Sequence, residues 1–396
     1  MLFIPRGFRA SAVHCGIKKA STREDIALFV ADEPSVGAGC YTQNLVVAAP
    51  VILDRERTPA DNLQAIVVNS GNANACTGPQ GMLDARQMAK QTASLCGLSE
   101  EQVLVMSTGI IGEPLPMPAV SRGISAAAAQ LATDEKAWQA ASRGLLTTDT
   151  CNKIRSTRFP LGGHEVTILG IAKGSGMIGP RMATMLAVIL TDVRLSPTSA
   201  QAALARGVEQ SFNSISVDGH TSTNDTVLLL ASGAASTAEL EGSDLAEFER
   251  QLRSILTQLA LAIVEDGEGA THLIQIDVSG AASANDAKRI AETIAASPLV
   301  KTAVAGGDPN WGRIVSAAGY AGVPVDVARL TLRVNDFLLF ENGVPQGFDR
   351  QAASNSIRQN RQTQIALTVG DGNGQATFWT CDLTKDYVTI NADYHT

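Results

Sequence analysis

The chain has 396 residues, 45% hydrophobic and 18% charged, with a formal net charge of −8. That length allows a large core and one or two domains. Aromatic residues are only 4%, so few base-stacking platforms exist, and the negative charge repels polyanions; together these exclude nucleic acid as a partner.

No apolar run approaches the roughly 18 residues of a membrane span, and residues 1–8 carry too short an apolar segment for a signal peptide. The six cysteines (15, 40, 76, 96, 151, 381) are scattered, with no CxxC and no Cys–His metal spacing. Reduced thiols in a cytoplasm are the expectation.

In chain order, residues 27–30, 46–53 and 65–69 read as strands. Residues 69–78, NSGNANACTG, have a loop-forming composition; the amides of Asn69, Asn72 and Asn74 either line a site or hold the loop together, the latter being the more frequent role in turns. A helix follows over 83–95, closed by Gly97, and a strand over 103–106 runs into the small-residue turn 107–112. Residues 121–130 and 134–142 read as helices. Strands at 166–171 and 185–190 enclose Gly174, Gly176, Gly179 and Pro180.

A helix is expected over 199–210, then a polar loop, 217–226, leading into the apolar run 227–230. Leu245, Phe248, Leu252, Ile255, Leu256, Leu259 and Ile263 follow helical spacing, with Ser243 as a plausible cap. The remaining expectations are a strand at 274–278, a helix at 286–296 stopped before Pro298, strands at 325–334 and 365–367, and an ordered apolar tail, 381–396. The pattern predicts a mixed α/β fold with substantial sheet.

Chemistry gathers at Ala183-Thr184, between the two strands that enclose the glycines. A threonine hydroxyl is a weak nucleophile until a base takes its proton. Breaking the preceding peptide bond supplies one, because the freed α-amine titrates near neutrality, at about 7.7–8.0. On these residues alone, a Gly-rich turn before a strand is the commoner reading. Residues 107–112 alone read as a routine turn. Lys173 at a strand end reads either as a solvated charge or as a partner for a carboxylate. The acidic loop 265–271 lacks the EF-hand alternation of oxygen ligands, and 307–313 lacks the GxxxxGK[ST] arrangement of a phosphate loop.

Residues 173–192, KGSGMIGPRMATMLAVILTD, closely resemble the self-cleavage motif of the ornithine acetyltransferase (glutamate N-acetyltransferase, ArgJ) family. The resemblance runs from residue 5 to residue 396. It includes VNSGNANACTG, the TTDT segment at 147–150, DGHTSTND at 218–225, DGEGAT at 266–271 and GDPNWGR at 307–313.

The resemblance implies an ArgJ/DmpA-like layered fold, with stacked sheets flanked by helices. It implies self-cleavage between Ala183 and Thr184 into an α chain (1–183) and a β chain (184–396). Thr184 would be the nucleophile, with the Thr108 hydroxyl and the Gly109 N–H as oxyanion donors. Thr150, Lys173, Thr184, Glu268, Asn391 and Thr396 would contact substrate. The implied reaction is ping-pong transfer of acetyl from N2-acetyl-L-ornithine to L-glutamate, in a cytoplasmic α2β2 heterotetramer without cofactor or metal.

Two positions depart from the family pattern: His220 where an acidic residue is usual, and His272 where Lys is common. Three other readings are a related self-cleaving aminopeptidase, an uncleaved amino-acid-binding protein, and a bifunctional enzyme that also takes acetyl from acetyl-CoA.

Overall fold

The computed structural model describes residues 2–19, 22–180, 182, 185–235 and 238–393. They form two compact units: residues up to 213 with 220–263, and residues 214–219 with those from 264 onward. In chain order the strands are β1 (Phe8–Val13), β2 (Ile26–Tyr41), β3 (Ala60–Asn72), β4 (Val103–Ile110), β5 (Lys153–Leu161), β6 (His164–Lys173), β7 (Leu186–Thr191), β8 (Ile215–Ser216), β9 (Thr226–Ala231), β10 (Leu273–Ala281), β11 (Thr331–Val334), β12 (Phe337–Glu341), β13 (Val344–Pro345), β14 (Gln362–Thr368) and β15 (Gly374–Cys381).

The first unit is built on one sheet ordered β4-β3-β2-β9-β7-β6-β5, with β1 added to β2. The long β2 serves two wings. Its first part, from Ile26↔Asn69 to Val30↔Ala65, pairs with β3, and its last part, from Val36↔Ala231 to Tyr41↔Thr226, pairs with β9. Register shifts lie between these stretches, where an irregular strand bends. One core takes Phe29, Ile66, Val68, Leu104 and Met106 from one wing and Leu169, Ile171, Leu186, Val188, Leu228 and Leu230 from the other. The two wings therefore face each other as layers across that core.

Alternation along the strands fills a second core. Ile26, Leu28, Val30, Ala65, Val67, Val103 and Val105 point outward, onto Leu53 and onto the helices Gly78–Cys96 and Met117–Ala128. On the other wing, a Cβ at Gly170 of β6 would meet Leu259 and Ile255 within about 3 Å, so the helix Gly242–Glu265 packs directly on that strand. Trp138, on the helix Glu135–Leu145, is wholly buried in the core between the wings, 6.1 Å from the Phe29 ring.

The second unit carries a sheet ordered β13-β12-β11-β14-β10-β15-β8. Ile274, Ile276, Val278, Ile365, Leu367 and Phe378 pack with Ile290, Ile294, Val304 and Ile314 of the helices Ala284–Ala296, Pro298–Ala305 and Trp311–Gly319. Gln275 and Asp277 alternate with the apolar residues of β10, and Asp277 accepts hydrogen bonds from Gln364 (2.7 Å) and Thr377 (2.7 Å). This is the period-2 pattern of a sheet with one apolar and one polar face. The mixed α/β class, with sheets flanked by helices, holds in both units.

Local structure departs from expectation at three of the expected elements. Residues 46–53 are not a strand. Pro50 sits in the first turn of the helix Ala49–Arg57, where its missing N–H costs nothing, and Val51 and Leu53 are buried. So short an apolar run has no period that separates strand from helix. Residues 325–334 form a strand only from Thr331, because the Asp326 side chain caps a 3-10 turn, Val327–Arg329. Ser243 lies inside its helix rather than capping it. Pro298 stops one helix but begins the next, capped by the Ser297 hydroxyl.

Candidate active site

Thr108 and Gly109 stand at the end of β4, in parallel register with Ser70 and Gly71 of β3. Gly109 has φ +135°, and a Cβ there would lie 2.3 Å from the Gly71 carbonyl carbon and 2.4 Å from the Asn72 nitrogen. Only glycine fits both the conformation and the space. Asn amides hold this strand end. Asn69 Nδ2 donates to Asn72 O (2.8 Å), and its Oδ1 accepts from the Ser107 hydroxyl (2.6 Å). Asn72 Nδ2 donates to Glu113 O (3.1 Å) and Pro114 O (3.2 Å), and Asn74 Nδ2 to Gly81 O (2.8 Å). Of the two readings the sequence leaves open, these contacts match the structural one.

Lys173 ends β6 and is buried, whereas Thr150 is exposed in the segment before β5. The two segments are tied together. Gly174 N donates to Asp149 Oδ1 (2.7 Å), and the Thr148 and Ser175 hydroxyls lie 2.8 Å apart. Asp149 also takes a hydrogen bond from the Lys153 ammonium (2.7 Å). Burial pushes the Asp149 carboxyl up, but the Lys173 and Lys153 charges outweigh it and bring it to about 2. Nearby, burial lowers the Lys18 ammonium to about 8, with Asp25 resisting and Lys173 adding to the shift. Asp149, Lys153 and Lys18 escaped the sequence reading. The traceable signal was Asp149 inside the TTDT segment.

Ala183 and Thr184, the proposed scissile pair, lie outside the described residues. The next residue does not. Met185 N donates to Asp225 Oδ1 at 3.0 Å, from the end of the DGHTSTND segment. Asp225 is wholly buried. Burial pushes its carboxyl up to about 8, with the Met185 N–H bond and more distant Lys173 charge only partly offsetting it. Asp225 went unnoticed in the sequence, although it closes the family-like segment. His220, in the same segment, is exposed.

In the second unit, Asn391 Nδ2 donates to Glu268 Oε2 at 3.0 Å, so these two predicted residues are together. Asn391 lies on the tail helix Lys385–Asp393. Gly269 (φ +72°) lets the acidic loop approach that helix, since a Cβ would fall 2.5 Å from Tyr387 N. His272 Nδ1 lies 3.0 Å from Asp382 Oδ2. Thr396 lies outside the described residues. Among the described residues no group of three or more His, Cys, Asp or Glu side chains is placed to hold a metal ion, and no helix is long and apolar enough to cross a membrane.

A family model, the ArgJ family, matches residues 9–396. The chain is 46% identical over 396 residues to the arginine biosynthesis bifunctional protein ArgJ of Rhodopirellula baltica, covering 99% of this chain and 96% of that one. It is 47% identical over 393 residues to the protein of the same name in Geobacter sulfurreducens, covering 99% of each. Among solved structures, the arginine biosynthesis bifunctional protein ArgJ of Bacillus halodurans aligns with a TM-score of 0.51 and 39% identity, covering 52% of this chain and 98% of that chain.

Proposed function

Because the chain belongs to the ArgJ family, we propose that it is a self-processing acetyltransferase of arginine biosynthesis that moves acetyl from N2-acetyl-L-ornithine to L-glutamate. The Thr184 hydroxyl first attacks the Ala183 carbonyl. The peptide C–N bond breaks, an ester forms, and water releases the α chain (1–183) from the β chain (184–396). The freed Thr184 amine then serves as base for its own hydroxyl.

In the transfer, Thr184 Oγ attacks the acetyl carbonyl, and the oxyanion is held by the Thr108 hydroxyl and the Gly109 N–H. The C–N bond breaks and ornithine leaves with the proton held by the amine. The glutamate amine attacks the acetyl ester, giving N-acetylglutamate and restoring Thr184. Lys173 and Thr150 bind substrate in this reading, as do Glu268, Asn391 and Thr396. A carboxylate such as Glu268 suits the side-chain ammonium of ornithine.

The observation that carries this reading is the family match over residues 9–396 at 46–47% identity to two named relatives. The rigid Thr108–Gly109 strand end and the buried Lys173 agree with it. The Bacillus halodurans chain is about half as long as this one, as a piece released at 183/184 would be. The relatives' names include "bifunctional", which favours acetyl-CoA as a second acetyl source. We place the enzyme in the cytoplasm as an α2β2 heterotetramer.

The intact mass of the denatured protein tests self-processing. Pieces of 183 and 213 residues (396 − 183 = 213), the second beginning at Thr184, are expected. A single uncut chain overturns the mechanism. Release of acetate with no dependence on glutamate points instead to a hydrolase.

A further inference from the structure

Two consecutive side chains bond to residues that adjoin the two halves of the proposed chemistry. Asn224 Nδ2 donates to Ser107 O (2.9 Å) and to Ala73 O (2.6 Å). The Ser107 carbonyl belongs to the peptide unit that leads into Thr108. Asp225 Oδ1 accepts the Met185 N–H (3.0 Å), which belongs to the peptide unit that joins residue 184 to Met185. Asn224 and Asp225 are the two residues just before β9, so both contacts are held from one backbone segment.

That segment is itself fixed. Residues 222–225 are buried. Thr42 Oγ1 donates to Ser222 O (2.7 Å), Ala48 N to Thr223 O (3.0 Å), Thr42 N to Asp225 O (2.8 Å) and Thr226 Oγ1 to Asn224 O (2.8 Å). Asn224 Oδ1 accepts from the Thr223 hydroxyl (2.5 Å). Asp225 Oδ2 is buried and has no hydrogen-bond partner among the described residues.

We infer that Asn224 and Asp225 are a pair of positioning residues that set the span between the nucleophile and the oxyanion donors. The inference rests on the reading of Thr184 and of Thr108–Gly109 given above. It deepens that reading by naming what ties Met185, next to the proposed nucleophile, and Ser107, next to the proposed oxyanion donors, to one segment. Asp225 pushed up to about 8 is the neutral acid near pH 7, so an amide of the same shape can replace it. Small misplacements of reacting groups cost on the order of 10²-fold in rate.

The test compares self-cleavage rate, kcat and both KM values in the full chain and four variants: Asn224→Ala, Asn224→Asp, Asp225→Ala and Asp225→Asn. The two alanine variants are expected to lose roughly 10²-fold in cleavage rate and kcat, with KM changed less than about threefold. Asp225→Asn recovers most of the loss. Asn224→Asp, which turns a donor into an acceptor facing two carbonyls, does not. Wild-type kcat in both alanine variants, or a parallel change of kcat and KM, overturns the inference. Where an alanine variant does not fold, the isosteric pair decides alone, and equal behaviour of Asn224→Asp and Asp225→Asn overturns it. Thr184→Ala separates the two levels: a cut or active Thr184→Ala protein removes the underlying reading, whereas the clamp variants keep Thr184 and report only on position.

Discussion

The Lys153 ammonium donates to the Asp149 carboxylate at 2.7 Å with both side chains wholly buried, and the same oxygen takes the Gly174 N–H at the end of β6. Removing one member of such a pair takes the close counter-charge away from a charge that stays buried. Asp149→Ala is therefore expected to destabilise the fold by about 3–5 kcal/mol, read as a lower denaturant midpoint. The double variant Asp149→Ala/Lys153→Met should recover part of that loss. The sign of the pH effect is fixed. Asp149 falls from 3.8 to about 2 on folding, so its contribution is complete above about pH 4 and is lost as pH falls toward 2.

Asp225 has the opposite sign. Its carboxyl rises from 3.8 to about 8 in the folded chain. The folded state then holds a proton that the unfolded chain has released, so the contribution is full below about pH 3.8 and lost as pH rises through 8. Thermal melts at pH 5 and pH 8 should show a larger drop in Tm for the wild type than for Asp225→Asn. Equal drops would mean that the carboxyl does not hold its proton.

At Gly109 the backbone leaves no room. Any side chain meets the Gly71 carbonyl carbon at 2.3 Å and must also adopt φ +135°. Gly109→Ala is expected to displace the end of β4 and to cut acetyl transfer at least as far as Thr108→Ala. If the Thr108 hydroxyl is an oxyanion donor as proposed, Thr108→Ala lowers kcat about 10²-fold or more. Steady-state kinetics on processed enzyme check both. Normal turnover in Thr108→Ala would remove that hydroxyl from the oxyanion site.

Glu268 and Asn391 make a different kind of prediction, because their hydrogen bond is not deeply buried. Glu268→Gln keeps shape but loses charge. If Glu268 meets the ornithine ammonium, KM for acetylornithine rises about tenfold or more while KM for glutamate moves little. An equal rise in both would make the residue a general support of the tail helix.

The long periodic elements were legible from sequence. The helix Gly78–Cys96 closes at Gly97 in the left-handed conformation, its N–H donating to Ala93 O, as its glycine announced. The helix Gly242–Glu265 followed its apolar spacing. The strands β1, β5, β12 and β15 carry weaker patterns: Lys153, Arg155 and Arg158 interrupt β5, and Gln375 and Thr377 interrupt β15. Residues that touch substrate in the proposed reading were found through family-like motifs. Their supports were not. Asp149, Asn224 and Asp225 act through partners about 25 to 150 residues away, and no local pattern marks a contact of that range.

The hairpin of β6 and β7 carries one last consequence. Their antiparallel register runs from Ile168↔Thr191 to Lys173↔Leu186, and β7 is also paired with β9. If the connection is cut at 183/184 as proposed, the pairings of β7 with β6 and β9 are untouched, so the two fragments would stay interleaved like halves of a broken tally stick. What changes is the return journey. The precursor folds as one molecule, with its ends close by covalent tether. A processed pair, once denatured, would have to find its counterpart in solution, so renaturation would become second order in protein. Processing would therefore shift the protein's endurance toward how slowly the pair opens.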